Sequence, residues 1–451
     1  MNLVAFESWL VAELMDLGNG AFEARHSLFV HVVLYGALGT ALGIALAPLD
    51  RRGREWGLAA LSVLMLGLLG SFQIAAAATL FSLLFFGCVE RVPGRSGTIA
   101  ASVLAALLLA YPAFLPDAWL AGNTGQMREF WAFATNVWWL RCVAYLIDRH
   151  WRGIAPRSLR EFLLATLFFP TFVNGPIETT EQLAAGRSAG PAVETWADLK
   201  SWLRAAWPLL GRLLLGCSKV LVAGFYLGRA NDLIFATGGE AVTAQRLWLW
   251  TFELYFQFYI VFSGWSDVAI AFGRLLGFEV LENFDRPWRA RSVAEFWRRW
   301  HISFGVWLRN YVYIPLGGNR RHGSLNVLAV FLASGLWHVW GALKVLGLDA
   351  YPPSAWLGFV AWGLMNGLAV LAARWWDEAR GLDSLRATLR LRLPAPLRLF
   401  SAQLFAFVFV SVAWIPFFLP PWIGLDKCGE IFWRLFFETS WRVARKLGLP
   451  V

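Results

Sequence analysis

Charge is scarce in this 451-residue chain: Asp, Glu, Lys and Arg together make up 16%, against roughly 25% in ordinary soluble domains. Hydrophobic residues reach 58%, and mean hydropathy is +0.53. So few charges cannot cover a water-facing surface, and so much apolar content excludes disorder. Cysteine is nearly absent too. Cys88, Cys142, Cys217 and Cys428 lie far apart with no Cys-x-x-Cys pair, which argues against a disulfide framework or a zinc site. The 6 histidines show no metal-ligand spacing, so no metal is expected. No Gly-x-Ser-x-Gly elbow signals a serine triad. No internal repeat is visible, which argues against transporters built from inverted repeats. Basic residues exceed acidic ones by 10, but they are scattered and form no basic tail. Anionic membrane lipid is their expected partner, and no nucleic acid is.

What the chain has in abundance is apolar runs and rings, with 27 Trp and 36 Phe. Indoles favour the headgroup level of a bilayer. A spanning helix needs about 20 mainly apolar residues. Segments 27–47, 97–115, 130–147, 162–172, 205–228, 247–262, 325–346, 355–373 and 399–419 are candidates. Residues 57–88 are too long for one crossing, and Gly70-Ser71 is the natural break. The fold class expected is therefore an all-α, polytopic membrane protein. Residues 1–22 carry Glu7, Glu13 and Asp16 and lack a positive start, so they fit an interfacial helix better than a signal peptide. Residues 374–398 form a basic loop or surface helix, and 430–447 mix rings and basic residues as interfacial helices do.

Four segments carry the chemistry. In the first, residues 283–321, Arg286, Arg289, Arg291, Arg298, Arg299 and Arg309 alternate with Trp288, Trp297, Trp300 and Trp307. The stretch is too polar for lipid and too aromatic for a free loop. It suits either a re-entrant wall of an internal chamber or an amphipathic surface helix. If residues 293–309 are one helix, Trp297 and His301 share a face, and Glu295 pairs with Arg298. The second segment centres on His338, an ionisable group in an almost wholly apolar run. Such a residue is costly, hence a functional candidate, although a hydrogen-bonded core histidine is the plainer alternative. A neutral imidazole suits the proton transfer that accompanies attack of a hydroxyl on an acyl carbonyl. The third, residues 168–178, breaks an apolar run at Pro170 and Gly175-Pro176, beside Asn174; it lines a cavity or simply ends a helix. The fourth, Ser263-Gly264-Trp265-Ser266-Asp267, offers Asp267 as a helix cap or a partner for an arginine. Arg212 and Lys219 lie on one helical stripe, to face an anionic group or to snorkel.

Taken together, these blocks resemble the membrane-bound O-acyltransferase family, in its bacterial polysaccharide branch. The match is carried by Arg291-Ser292-Val293-Ala294-Glu295-Phe296-Trp297-Arg298-Arg299-Trp300-His301-Ile302-Ser303, by Tyr313-Ile314-Pro315-Leu316-Gly317-Gly318-Asn319-Arg320, and by Gly335-Leu336-Trp337-His338. Phe169-Pro170, Gly175-Pro176-Ile177, Ser263-Gly264-Trp265-Ser266-Asp267 and Glu282-Asn283-Phe284 extend it. Val261, Gly305-Val306, Asn310 and Val339 depart from the branch's usual pattern, and none of them is a histidine of the two blocks. The resemblance implies a helical bundle around a central tunnel with re-entrant segments. It implies His338 as the essential histidine and His301 as the second, with Trp297, Trp300, Arg298, Arg309, Trp337, Asn174, Pro176, Ser263, Asp267 and Asn283 as candidate lining residues. No bound cofactor is implied; the co-substrate is an acyl-coenzyme A or acyl-carrier thioester delivered from the cytoplasm. The acceptor is a hydroxyl of a polysaccharide or lipid-linked glycan, the setting is the cell inner membrane, and an extracytoplasmic acyltransferase partner is expected. On this reading residues 1–125 form a divergent membrane region, 126–373 the catalytic core, and 374–451 a basic loop, a membrane helix and an interfacial helix. The competing reading is a transporter or flippase for an anionic solute held by Arg212, Lys219 and the arginine-rich stretch.

Overall fold

The computed structural model describes residues 21–92, 94–110, 124–185, 199–223, 234, 242–346, 353–378, 394–420 and 424–438. The expected interfacial helix at the N-terminus, most of the basic loop before residue 394, and the end of the chain beyond 438 lie outside them. Two compact units share the chain: Met1–Phe225 with Val261–Leu281, and Tyr226–Ile260 with Glu282–Val451.

The first unit contains α1 (Ala21–Ala45), α2 (Arg51–Leu69), α3 (Phe72–Arg91), α4 (Gly94–Ala110), α5 (Thr124–His150), α6 (Leu159–Leu167), α7 (Phe169–Phe172), α8 (Thr180–Ala185) and α9 (Leu199–Ser218). Local chemistry sets the ends of these helices. Asp50 caps α2 by accepting from the Gly53 N–H at 3.0 Å. Ser158 and Glu161 form a reciprocal capping box at the start of α6. Gly70 and Ser71 leave helical geometry between α2 and α3, where the sequence places the break. The core gathers Met65, Leu66, Phe85, Phe162, Phe168 and Phe172, all essentially inaccessible.

One sequence expectation fails in this unit. Residues 162–172 do not cross a membrane, because α6 has nine residues and α7 four. Phe168 departs from helical geometry (φ −55, ψ 104), and Pro170 in the next turn has no N–H to continue the ladder. The segment is apolar because it is buried in protein on every side, not because it meets lipid.

The long α10 (Ala244–Leu275) serves both units, its residues to 260 in the second and those from 261 in the first. The second unit continues with α11 (Val293–Arg299), α12 (Ile302–Leu308), α13 (Gly323–Leu346), α14 (Pro353–Glu378), α15 (Ala395–Phe418) and α16 (Leu425–Trp433). Helix α13 packs lengthwise on α14, and α14 on α15. Beyond α16 a wider π turn, Arg434–Glu438, leaves the rings of Phe436 and Phe437 exposed, as an interfacial segment would.

Among the described residues, five helical stretches are long and apolar enough to cross a membrane: Phe72–Arg91, Trp202–Val222, Gly323–Gly341, Trp356–Trp376 and Ala395–Phe418. Helices α5 and α10 have the length, 27 and 32 residues, but polar groups such as Arg141, Gln257 and Asp267 interrupt their apolar runs. The protein is an all-α, multi-pass membrane protein.

Candidate functional site

The site in the second unit is built on an interrupted helix. Phe284 pairs with Trp300 in an isolated antiparallel bridge. The Asp285 N–H donates to the Arg299 carbonyl, and the Ile302 N–H to the Asn283 carbonyl, both at 3.0 Å. These bonds replace the i to i−4 ladder. The single helix expected over 293–309 is therefore two seven-residue helices, α11 and α12, with a corner between them. Trp300 is extended and His301 adopts a left-handed backbone at φ 45. Positive φ is uncommon for any residue but glycine, so the corner is held by its surroundings. Trp297 and His301 do not share a helical face.

The charges differ from expectation in the same place. Glu295 binds Arg299 at 2.9 Å and accepts the Arg291 N–H at 2.9 Å, while Arg298 stands exposed. Burial pushes the Glu295 carboxyl upward, but those hydrogen bonds and the Arg299 charge outweigh it and hold the group below the usual carboxylate range. Arg299 also reaches Asp285 at 2.9 Å and pins the strand-like segment to α11.

Asn283 fixes the state of His301. The side chain of Asn283 is fully buried, and its Oδ1 lies 3.3 Å from the Ser303 N–H, 2.9 Å from Ser303 Oγ and 3.1 Å from His301 Nδ1. A backbone N–H can only donate, so this atom is the amide oxygen. His301 Nδ1 must then carry the proton, leaving Nε2 with a lone pair. His338, in the middle of α13, repeats the arrangement: its Nδ1 lies 2.6 Å from the Ser334 carbonyl, which only accepts. In the neutral form each ring would therefore carry its proton on Nδ1 and its lone pair on Nε2.

Phe304 stands against both rings, 5.1 Å from His301 and 6.0 Å from His338 between centroids. Phe359, Trp362 and Phe417 complete an apolar enclosure around His338, at 6.4, 5.7 and 5.0 Å. Burial, with the neighbouring His338 ring, holds the His301 imidazole well below its ordinary range, which favours the neutral form.

Trp297 and Trp300 serve as anchors for this corner. Trp297 Nε1 donates to Asn366 Oδ1 at 3.1 Å and its ring packs on Phe331 and Trp362. Trp300 lies between Phe284, Phe296 and Trp414 at 5.1 to 5.4 Å. Trp337 is half-buried beside His338, and Arg309 is exposed where a π turn, Arg309–Tyr313, begins. Asn366, Phe304 and Phe417 escaped sequence reasoning. The lone amide in the apolar run 355–373 was the available signal for the first; rings among so many rings give none.

The remaining sequence candidates lie in the first unit. The Pro176 carbonyl accepts from Arg141 Nη2 at 3.3 Å, and the same nitrogen reaches the Thr171 carbonyl and Oγ1 at 3.2 and 2.6 Å. Arg141, 1% exposed, ties the broken segment together, with Asn174 half-buried at the turn. An arginine inside the apolar run 130–147 was legible as a signal. Ser263 is buried, and Asp267 pairs with Arg212 at 2.8 Å and Lys219 at 2.6 Å. The Arg212 and Lys219 stripe therefore faces an internal carboxylate, where the transport reading needs it to face an anionic solute. Gly216 permits this approach, since a Cβ there would lie 2.8 Å from the Gly264 carbonyl. Among the described residues no three His, Cys, Asp or Glu side chains gather as metal ligands.

Comparison with known proteins adds independent findings. The family model of the membrane-bound O-acyltransferases matches residues 104–351. A probable alginate O-acetylase of Azotobacter vinelandii is 33% identical over 317 residues, covering 67% of this chain and 53% of that protein. A peptidoglycan O-acetyltransferase of Helicobacter pylori is 29% identical over 268 residues, 58% of this chain and 44% of its own length. A teichoic acid D-alanyltransferase of Streptococcus thermophilus is 25% identical over 294 residues, 62% and 65% of the two chains. The chain spans about half the length of most of the curated relatives it matches.

Proposed function

Because this chain belongs to the membrane-bound O-acyltransferase family, we propose that it moves an acyl group, acetyl in the first instance, from a thioester to a hydroxyl of a cell-envelope or extracellular polysaccharide. The donor is an acyl-coenzyme A or an acyl-carrier thioester reaching the site from the cytoplasm through a tunnel. The setting is the inner membrane, and an extracytoplasmic acyltransferase receives or presents the acceptor. Two relatives are named for O-acetyl transfer and one for D-alanyl transfer, which supports the reaction class.

The observation that carries this reading is the pair of imidazoles whose Nδ1 protons are committed to oxygen acceptors. His338 Nε2 takes the proton of the acceptor hydroxyl as its oxygen attacks the acyl carbonyl. A C–O bond forms, the C–S bond breaks, and the proton passes on to the departing thiolate. A base so placed contributes about 10² to 10⁴ in rate. His301 assists from across Phe304, and the surrounding rings exclude the water that would hydrolyse the thioester. Replacing His338 by Ala should abolish transfer of labelled acetyl from acetyl-coenzyme A in isolated membranes while the protein stays inserted and melts cooperatively. Retained transfer in that variant sinks the assignment.

A further inference from the structure

On the outer face of the second unit lies an apolar groove of about 600 Å³, a volume within the roughly 300–1,000 Å³ typical of ligand sites. Phe256, Tyr259 and Ile260 of α10 form one wall, and Phe400, Gln403, Leu404 and Phe407 of α15 the other. The second set falls at i, i+3, i+4 and i+7, so one face of α15 borders the groove from its first turns inward. Phe400, Leu404 and Phe256 are exposed, and Phe256 and Phe407 meet at the floor with centroids 5.7 Å apart.

The two ends of the groove differ chemically. Helix α15 is one of the membrane-crossing stretches, so an apolar slot along it belongs at acyl-chain depth. Its roof is Trp288, edge-on to Tyr259 at 4.9 Å, in the short turn Pro287–Arg289. Gln403 joins roof to wall by donating to the Arg289 carbonyl at 3.1 Å. That turn carries Arg286, at φ 45, and Arg289, both exposed and without a side-chain partner among the described residues. The neighbouring acid, Asp285, is already engaged by Arg299. Among the described residues the rim therefore holds two guanidinium groups with no paired carboxylate above an apolar slot, beside an indole of the kind that settles at headgroup level.

We propose that this groove seats one acyl chain of an anionic glycerophospholipid from the surrounding bilayer, with its phosphate held by Arg286 and Arg289. The site is separate from the histidine pair and does not depend on the acyl-transfer reading. The full chain, reconstituted in mixed phosphatidylcholine and phosphatidylglycerol vesicles and released gently, is examined by native mass spectrometry for retained lipid. Each arginine near an anionic surface is worth about a factor of five. The parent should keep one phosphatidylglycerol in preference to phosphatidylcholine by about 25-fold, and R286Q/R289Q should bring the ratio near one. Leu404→Trp, which fills the slot from an exposed position, should remove both lipids. Equal retention of the two lipids by the parent, or undiminished phosphatidylglycerol on both variants, overturns the proposal; the second result would mean that the retained lipid sits elsewhere on the protein.

Discussion

The hydrogen bond from His301 to Asn283 can be tested by two substitutions with opposite consequences. Asn283→Ala removes one acceptor from three donors: His301 Nδ1, the Ser303 N–H and Ser303 Oγ. The Ser303 hydroxyl can turn elsewhere, whereas its N–H and the imidazole cannot. At about 1–3 kcal/mol for each of the two buried polar groups left unsatisfied, the loss is about 2–6 kcal/mol. The corner also loses the contacts that hold His301 in its left-handed conformation, so acyl transfer should fall with stability.

Asn283→Asp keeps the shape and the acceptor but places a carboxylate 3.1 Å from His301 Nδ1. An opposite charge at that distance moves an imidazole upward by about 1–3 pH units. In the parent, burial keeps His301 neutral across the working range. In the Asp variant a rise of that size, starting so far below the ordinary range, brings protonation of the ring and loss of its basic Nε2 only into the acid end of the assay. The rate of labelled acetyl transfer, followed from about pH 5 to about pH 9, should therefore stay near the parent's from neutrality upward and fall more steeply than the parent's toward pH 5, with thermal stability near that of the parent. A parent-like pH profile in the Asp variant, beside a stable and fully active Ala variant, would refute the claim that Asn283 sets the state of His301.

Three other perturbations test the frame around the site. Gly335→Ala places a Cβ 2.6 Å from the Phe359 carbonyl; α13 and α14 must part, at a cost of about 1–3 kcal/mol, and since His338 lies one turn on, activity should drop more than a melting curve alone would suggest. Asp267→Asn strands Arg212 and Lys219 without their shared carboxylate and should lower the unfolding free energy by about 3 kcal/mol, part of which a second change, Lys219→Met, should restore in thermal unfolding. Glu178, 2% exposed, is pushed up by burial from 4.5 to about 7, against the opposing pull of the Leu281 N–H and Arg141. Its protonated form is the one the fold favours, so its contribution of about 3 kcal/mol is full below pH 4.5 and disappears as pH rises through about 7. Unfolding temperature should fall across that window in the parent and lose this dependence in Glu178→Gln.

Much of the architecture could be read from the chain because its causes are local. The break at Gly70-Ser71 needs only the two residues that make it, and the apolar runs of α13, α14 and α15 follow from the thickness of a bilayer. His338 stands out as a candidate for a related reason, since a titratable ring in an apolar run is conspicuous wherever the rest of the protein lies; His301, in an arginine-rich stretch, is named only by the family resemblance. Hydropathy misled at residues 162–172, since a segment enclosed by protein and one enclosed by lipid have the same composition; only the length of unbroken helix separates them, and Phe168 ends that helix without a glycine to announce it.

The corner at Trp300 and His301 shows why the rest stayed hidden. No glycine or proline stands there, and helical pairing of Trp297 with His301 satisfied every local rule. What ends α11 is Asn283 to Asp285, more than a dozen residues upstream, whose backbone takes the hydrogen bonds a continuing helix would have used. The cost of a left-handed histidine, roughly 1–2 kcal/mol, is offset by Asn283 oxygen contacts that exist only in the folded chain. A histidine in a regular helix aims its ring according to the helix axis. One held at a corner can be aimed by its neighbours, and here they bring it against Phe304, whose other side meets His338. The departure from local preference and the orientation of the His301 ring thus have a single cause, so on the proposed mechanism a change that restores a continuous helix through residues 300–301 should cost activity even where it adds stability.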